Sequence, residues 1–214
     1  MAGPGGLDSA LLQLVRAIVA GDATVASRLL AASPGLARAC FEQGATRQSP
    51  KPHFIDEIKR HFYAGDTALH MAAAAYRAEM VRQLIAMGAD VGARNRRGAE
   101  PLHAASVGTP GSRMWNPPAQ AATIACLIEA GADPNAVDNS GVTPLHRAVR
   151  TRSASAVKAL LEGGADAARR NNRGSTPELL AVHNTGRGGT GSPEAKAQQR
   201  EILHLLQQHG RTGS

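Results

Sequence analysis

The sequence predicts an all-α fold: a solenoid of about five helix-turn-helix units, with β-turn fingers between units and three loop insertions. Three observations predict it. A Gly-Ala-Asp triplet recurs at Gly88, Gly131 and Gly164, at spacings of 43 and 33 residues. A second anchor stands twelve residues after each of these glycines, at Glu100, Thr143 and Thr176, and Thr67 fits one period earlier. Aromatic residues make up 3% of a chain that is 43% hydrophobic, so the core is built of Ala, Leu and Val, which suits closely stacked helices better than a sandwich. The unit is therefore 33 residues long, with a ten-residue excess in the third unit.

Residues 1–6 read as a flexible N-terminus. Residues 7–35 hold two apolar helical runs without the repeated texts, an N-terminal capping helix pair, since terminal units of an array are atypical. Residues 36–63 form an insertion. Its irregular part from Phe41 to Tyr63 places Phe54, Ile58 and Phe62 at helical spacing. It reads either as a flap packed on the N-terminal end of the array or as an arm that docks a partner.

Three units and a cap follow: 64–97, then 98–140 with an insertion at 107–118, then 141–173, then a C-terminal capping repeat at 174–210 with an insertion at 183–193, and a tail at 211–214. Thr143 and Thr176 are placed to cap a helix by accepting a backbone N–H. Pro101, Pro144 and Pro177 then fall at the first helical position, where a missing N–H costs nothing. Val157, Leu160 and Leu161 give the second helix an apolar stripe.

The texts Thr67-Ala-Leu-His, Glu100-Pro-Leu-His and Thr143-Pro-Leu-His, each in phase with a Gly-Ala-Asp, resemble the ankyrin repeat. The clear match runs from Ala64 to His209. In the last unit Glu178 and Leu179 stand where the family has Leu and His, a departure expected of a solvent-facing cap. The resemblance implies that His70, His103 and His146 tie neighbouring units together by hydrogen bonds. It also implies a non-catalytic protein-binding module that uses the turn tips and the exposed side of the first helices. Carried over residue by residue, that face comprises Arg94, Arg96, Arg97, Asn139, Ser140, Val142, Arg170, Asn172 and Arg173, with Tyr76 and Arg150 on the first helices.

A net charge of +7, mostly arginine, reflects either a compositional bias or an acidic partner, whether protein, phosphate or nucleic acid. The insertions at 107–118 and 183–193 occupy equivalent places two repeats apart and project from the same end. Arg113, Trp115, Arg150, Arg152 and Arg187 there suggest an anion or ligand pocket fed by Gly-rich loops, the alternative being tight turns alone. The glycine spacing is neither a Walker A nor a dinucleotide motif. No cofactor, metal site or catalytic residue is expected, the exception being an enzyme that uses the pocket of the 107–118 and 183–193 loops: His53 and His61 are eight apart, and no zinc-enzyme or nucleophile-elbow pattern occurs. Cys40 and Cys126 read as reduced thiols. With no leader pattern and no apolar run of 18 residues, the expectation is a cytoplasmic, monomeric protein away from membranes.

Overall fold

The computed structural model describes residues 4–111, 115–183 and 192–212. It is an all-α solenoid with ten helices among the described residues. The helices are α1 (Pro4–Ala20), α2 (Ala23–Ala32), α3 (Ala68–Ala74), α4 (Ala78–Ala86), α5 (Pro101–Ala105), α6 (Pro117–Glu129), α7 (Pro144–Arg150), α8 (Ala154–Glu162), α9 (Pro177–His183) and α10 (Pro193–Thr212). Successive pairs stack so that α3 packs on α5, α5 on α7 and α7 on α9. Behind them α4 packs on α6, α6 on α8 and α8 on α10. One core runs the length of the array, from Leu14 and Ile18 through Leu69, Leu102 and Leu145 to Ile202 and Leu206.

The first helices start as their sequences dictate. Thr67 and Thr143 cap α3 and α7: each hydroxyl accepts the N–H of the histidine three residues on, at 3.3 Å. The Thr176 hydroxyl accepts the Leu179 N–H at 3.1 Å. Pro101, Pro144 and Pro177 are the first residues of α5, α7 and α9. The histidines then reach across to the next unit. His70 bonds through Nε2 to the Ala99 carbonyl, His103 to Val142 and His146 to Ser175, at 3.0, 3.0 and 2.9 Å. Each Nδ1 accepts its own cap's backbone N–H, so Nε2 carries the proton and donates it. Burial keeps these rings neutral: it lowers the pKa of His70 and His146, and that of His103 to about 3.

Several boundaries differ from the sequence reading. α1 begins at Pro4, so 4–6 are helix and not a flexible lead. α6 begins at Pro117, with the Asn116 side chain accepting the Ala119 N–H at 3.1 Å, so the second insertion ends earlier than 118. α10 runs to Thr212, into the expected tail. The spacing of Phe54, Ile58 and Phe62 does not make a helix. The segment forms 3-10 turns and a small antiparallel hairpin, β1 (Phe54–Ile55) and β2 (Arg60–His61), in the register Phe54 to His61. Lys59, in the left-handed conformation, turns the chain between the strands. Ile55 and Phe62 bury themselves in the main core beside Phe41.

Candidate functional site

Between units the chain folds into fingers of one design. Asn95, Asp138 and Asn171 each accept, on one side-chain oxygen, the N–H groups two and four residues ahead. A backbone bond closes each finger, as from the Asp138 N–H to the Val142 carbonyl at 3.0 Å. The tips are stitched in a row. The N–H of Arg96 reaches the Ala64 carbonyl, that of Asn139 reaches Arg97, and that of Asn172 reaches Ser140, at 2.8, 3.0 and 3.1 Å. Side chains of Asn139 and Asn172 add bonds to the Arg96 and Asn139 carbonyls at 3.1 and 3.4 Å. Glycine is required here: a Cβ at Gly141 would stand 2.3 Å from the Asn172 side-chain oxygen, at a φ of +70°.

The residues expected on the partner face divide accordingly. Arg94, Arg96, Arg97, Ser140, Arg170 and Arg173 are exposed on the fingers. Arg94 also donates to the Val137 carbonyl of the next finger at 2.8 Å, and Arg170 to Gly174 at 2.7 Å. Asn139 and Asn172 are committed to stitching. Val142 is half-buried, and its carbonyl accepts the His103 Nε2–H hydrogen bond. Tyr76 and Arg150 lie at the far ends of the first helices, about 10 Å along a seven-residue helix from the finger bases. Tyr76 does not present its hydroxyl to a partner: it donates to the Val107 carbonyl, and burial pushes its pKa up to about 12.

Of the second expected site, Arg113 and Arg187 lie outside the described residues. Trp115 is half-buried, and its indole N–H has no hydrogen-bond partner among the described residues. Arg150 is exposed and Arg152, at a φ of +57°, is half-buried in the α7–α8 turn. The start of that insertion is fastened down: the Gly108 N–H donates to the Thr151 hydroxyl at 3.0 Å, beside the Tyr76–Val107 bond. Among the described residues no group of three His, Cys, Asp or Glu side chains could hold a metal, and no helix is long and apolar enough to cross a membrane. Cys40 is exposed and Cys126 buried, both as free thiols.

Two features escaped the sequence reading. Arg147 pairs with Asp138 at 2.8 Å, both nearly buried. Burial alone would raise the Asp138 carboxyl, but the Arg147 guanidinium and the N–H groups of Ser140 and Val142 outweigh it and hold it low. The pair props the middle finger against α7. The second feature is Tyr63, which stands one period before Arg96 and so occupies the same finger position in the first, enlarged finger. Its ring lies under the guanidinium groups of Arg96 and Arg97, at 5.3 and 5.1 Å, and its hydroxyl accepts from Arg97 at 3.0 Å. Around it opens a cavity of about 470 Å³, bordered by Ala45, Arg47, His61, Tyr63, Arg96 and Arg97, with no acidic residue in its lining. The 33-residue period was the signal that could have singled out Tyr63; Arg47 and His61 carry none.

Comparison with protein families gives matches to an ankyrin-repeat model over residues 64–96 and to a model of ankyrin repeats in many copies over 127–177. No curated relative matches the chain.

Proposed function

From the premise that the chain belongs to the ankyrin-repeat family, whose repeats are generally protein–protein interaction modules, we propose that it binds a protein of acidic surface along its row of fingers. One observation carries the reading. The finger tips expose arginines at Arg94, Arg96, Arg97, Arg170 and Arg173, while the asparagines between them hold the row in shape. A rigid edge of guanidinium groups suits carboxylate recognition, because the planar fork meets a carboxylate with two parallel hydrogen bonds. Preorganisation by the stitched backbone lowers the ordering cost of binding. The reading involves no chemistry by the chain itself and no cofactor, and places it in the cytoplasm as a monomer.

The test is affinity capture from a native lysate with the wild-type chain, an R170E/R173E variant and a K158E control on the opposite helix layer. A specific acidic partner is expected with wild type and K158E and is expected to be lost with R170E/R173E. Equal recovery by all three removes this face from consideration.

A further inference from the structure

The 36–63 segment is more than a filler between the capping pair and the first regular repeat. It begins and ends as a finger does: Cys40 pairs with Thr67, and Phe41 exchanges backbone bonds with Asp66 and Gly65 at 2.9 and 2.8 Å. Between those ends the chain crosses itself closely. A Cβ on Gly44 would stand 2.4 Å from the backbone of Tyr63 and Ala64, so only glycine allows the two passes to touch. The Ala45 N–H bonds the Phe62 carbonyl at 2.9 Å, and the Phe62 N–H bonds His53 at 2.9 Å. The extended run from Arg60 to Tyr63 then alternates. Phe62 is buried, and Arg60 borders a small hollow of about 130 Å³ against α3 and α5; His61 and Tyr63 turn the other way, into the large cavity.

We propose that this cavity receives a phosphomonoester carried on a partner protein. The proposal rests on the protein-binding reading above and names what one part of that surface recognises. Three guanidinium groups and an imidazole border one cavity without a carboxylate to neutralise them. A phosphomonoester supplies close to two negative charges and three acceptor oxygens, where a carboxylate supplies one charge and two oxygens. The forks are also aimed in advance. Tyr63 stacks under Arg96 and Arg97; Arg96 donates to the Ala45 carbonyl and Arg97 to the Tyr63 hydroxyl. Each guanidinium has five N–H groups, so one bond that sets its orientation leaves others for a ligand. Arg47, exposed on the border of the same cavity, adds a third guanidinium.

The experiment uses the full chain and a short labelled peptide in three forms, with phosphoserine, serine or glutamate at the central position, followed by fluorescence anisotropy. Inorganic phosphate is titrated alone and as competitor. The phosphoserine form is expected to bind at least about tenfold more tightly than the other two, the gain of hydrogen bonds to a charged group. R47A should lower that affinity about tenfold. Y63F, which keeps the ring and loses the hydroxyl, should lower it by a smaller factor, and K158A, on the opposite helix layer, should not change it. Circular dichroism verifies that each variant is folded. Equal affinity for the glutamate and phosphoserine forms overturns the proposal, as does a phosphoserine preference untouched by R47A and Y63F. Inorganic phosphate binding as tightly as the peptide would move the ligand from a partner protein to a free anion. Capture of an acidic protein that depends on Arg170 and Arg173, without any phosphoserine preference, leaves the protein-binding reading standing and defeats this one alone.

Discussion

Tyr63, Arg96, Asn139 and Asn172 stand at the same position of the sequence period but differ in use. In the C-terminal half of the row, the asparagines reach one finger back and bond a carbonyl. In the N-terminal half, Arg96 reaches back over Tyr63 to the carbonyl of Ala45 in the insertion. Side-chain length makes the difference. A short amide can bridge only adjacent backbones, so it serves the array; a long guanidinium with several donors can orient itself and still face solvent. The same repeat position thus changes from stitching to presenting spare donors to solvent when the residue lengthens and an aromatic surface is supplied beneath it.

Four measurements break or sharpen that contrast. The largest effect is expected at the support of the stitched half. D138A removes the partner of a nearly buried Arg147 and the acceptor of two finger N–H groups, and should cost about 4 kcal/mol in urea unfolding. A loss under about 1 kcal/mol would mean the pair is better solvated than its burial implies.

G44V attacks the other half. Its side chain would sit on the backbone of Tyr63 and Ala64, and a destabilisation of about 3 kcal/mol, or local detachment of the insertion seen by hydrogen exchange, should follow. G35A, where an added methyl meets nothing within 4 Å, should stay within about 0.5 kcal/mol of wild type.

The third measurement concerns both halves, because all three repeat histidines are held neutral. Their folded pKa values lie below the ordinary 6.5, so between that value and the folded value only the unfolded chain takes up the proton. Stability is therefore full above about pH 6.5 and falls as pH drops towards 3. For His103, at about 3 when folded, the loss should reach about 2 kcal/mol by pH 5, and H103Q should flatten the slope. An unchanged slope in H103Q would assign the acid sensitivity elsewhere.

The smallest effect belongs to the stitch itself. N139A should cost about 1 kcal/mol, one bond to the Arg96 carbonyl, while R173A should cost less than about 0.5 kcal/mol. Thermal unfolding resolves the two, and the reverse order would contradict the division of labour among the tips.

Much of the array is legible in the sequence because its information is local and repeated. Thr143 with Pro144, His146 three residues after the threonine, and a glycine after each second helix all read directly as caps, ties and stops. The C-terminal unit shows the same logic by omission. Leu179 replaces the tying histidine where no later finger offers a carbonyl among the described residues, and it is left 41% exposed. Boundaries were less legible, because Pro117 and Pro4 open helices in places that composition alone marks as loop. Only the helical spacing of Phe54, Ile58 and Phe62 misled, because spacings of four residues also occur in a chain that doubles back.

The sequence by itself determined the period, the helix pairs, their caps and the chain's family, since each of these depends on residues close together or recurring at a fixed interval. Only the tertiary structure decided that Tyr76 fastens a loop instead of facing a partner, that Arg147 props a finger, and that Arg47, His61 and Tyr63 meet Arg96 and Arg97 around one cavity. Those meetings join segments about 33 to 50 residues apart through an irregular turn. No spacing rule encodes such a juxtaposition; it follows from how the insertion folds onto its neighbour.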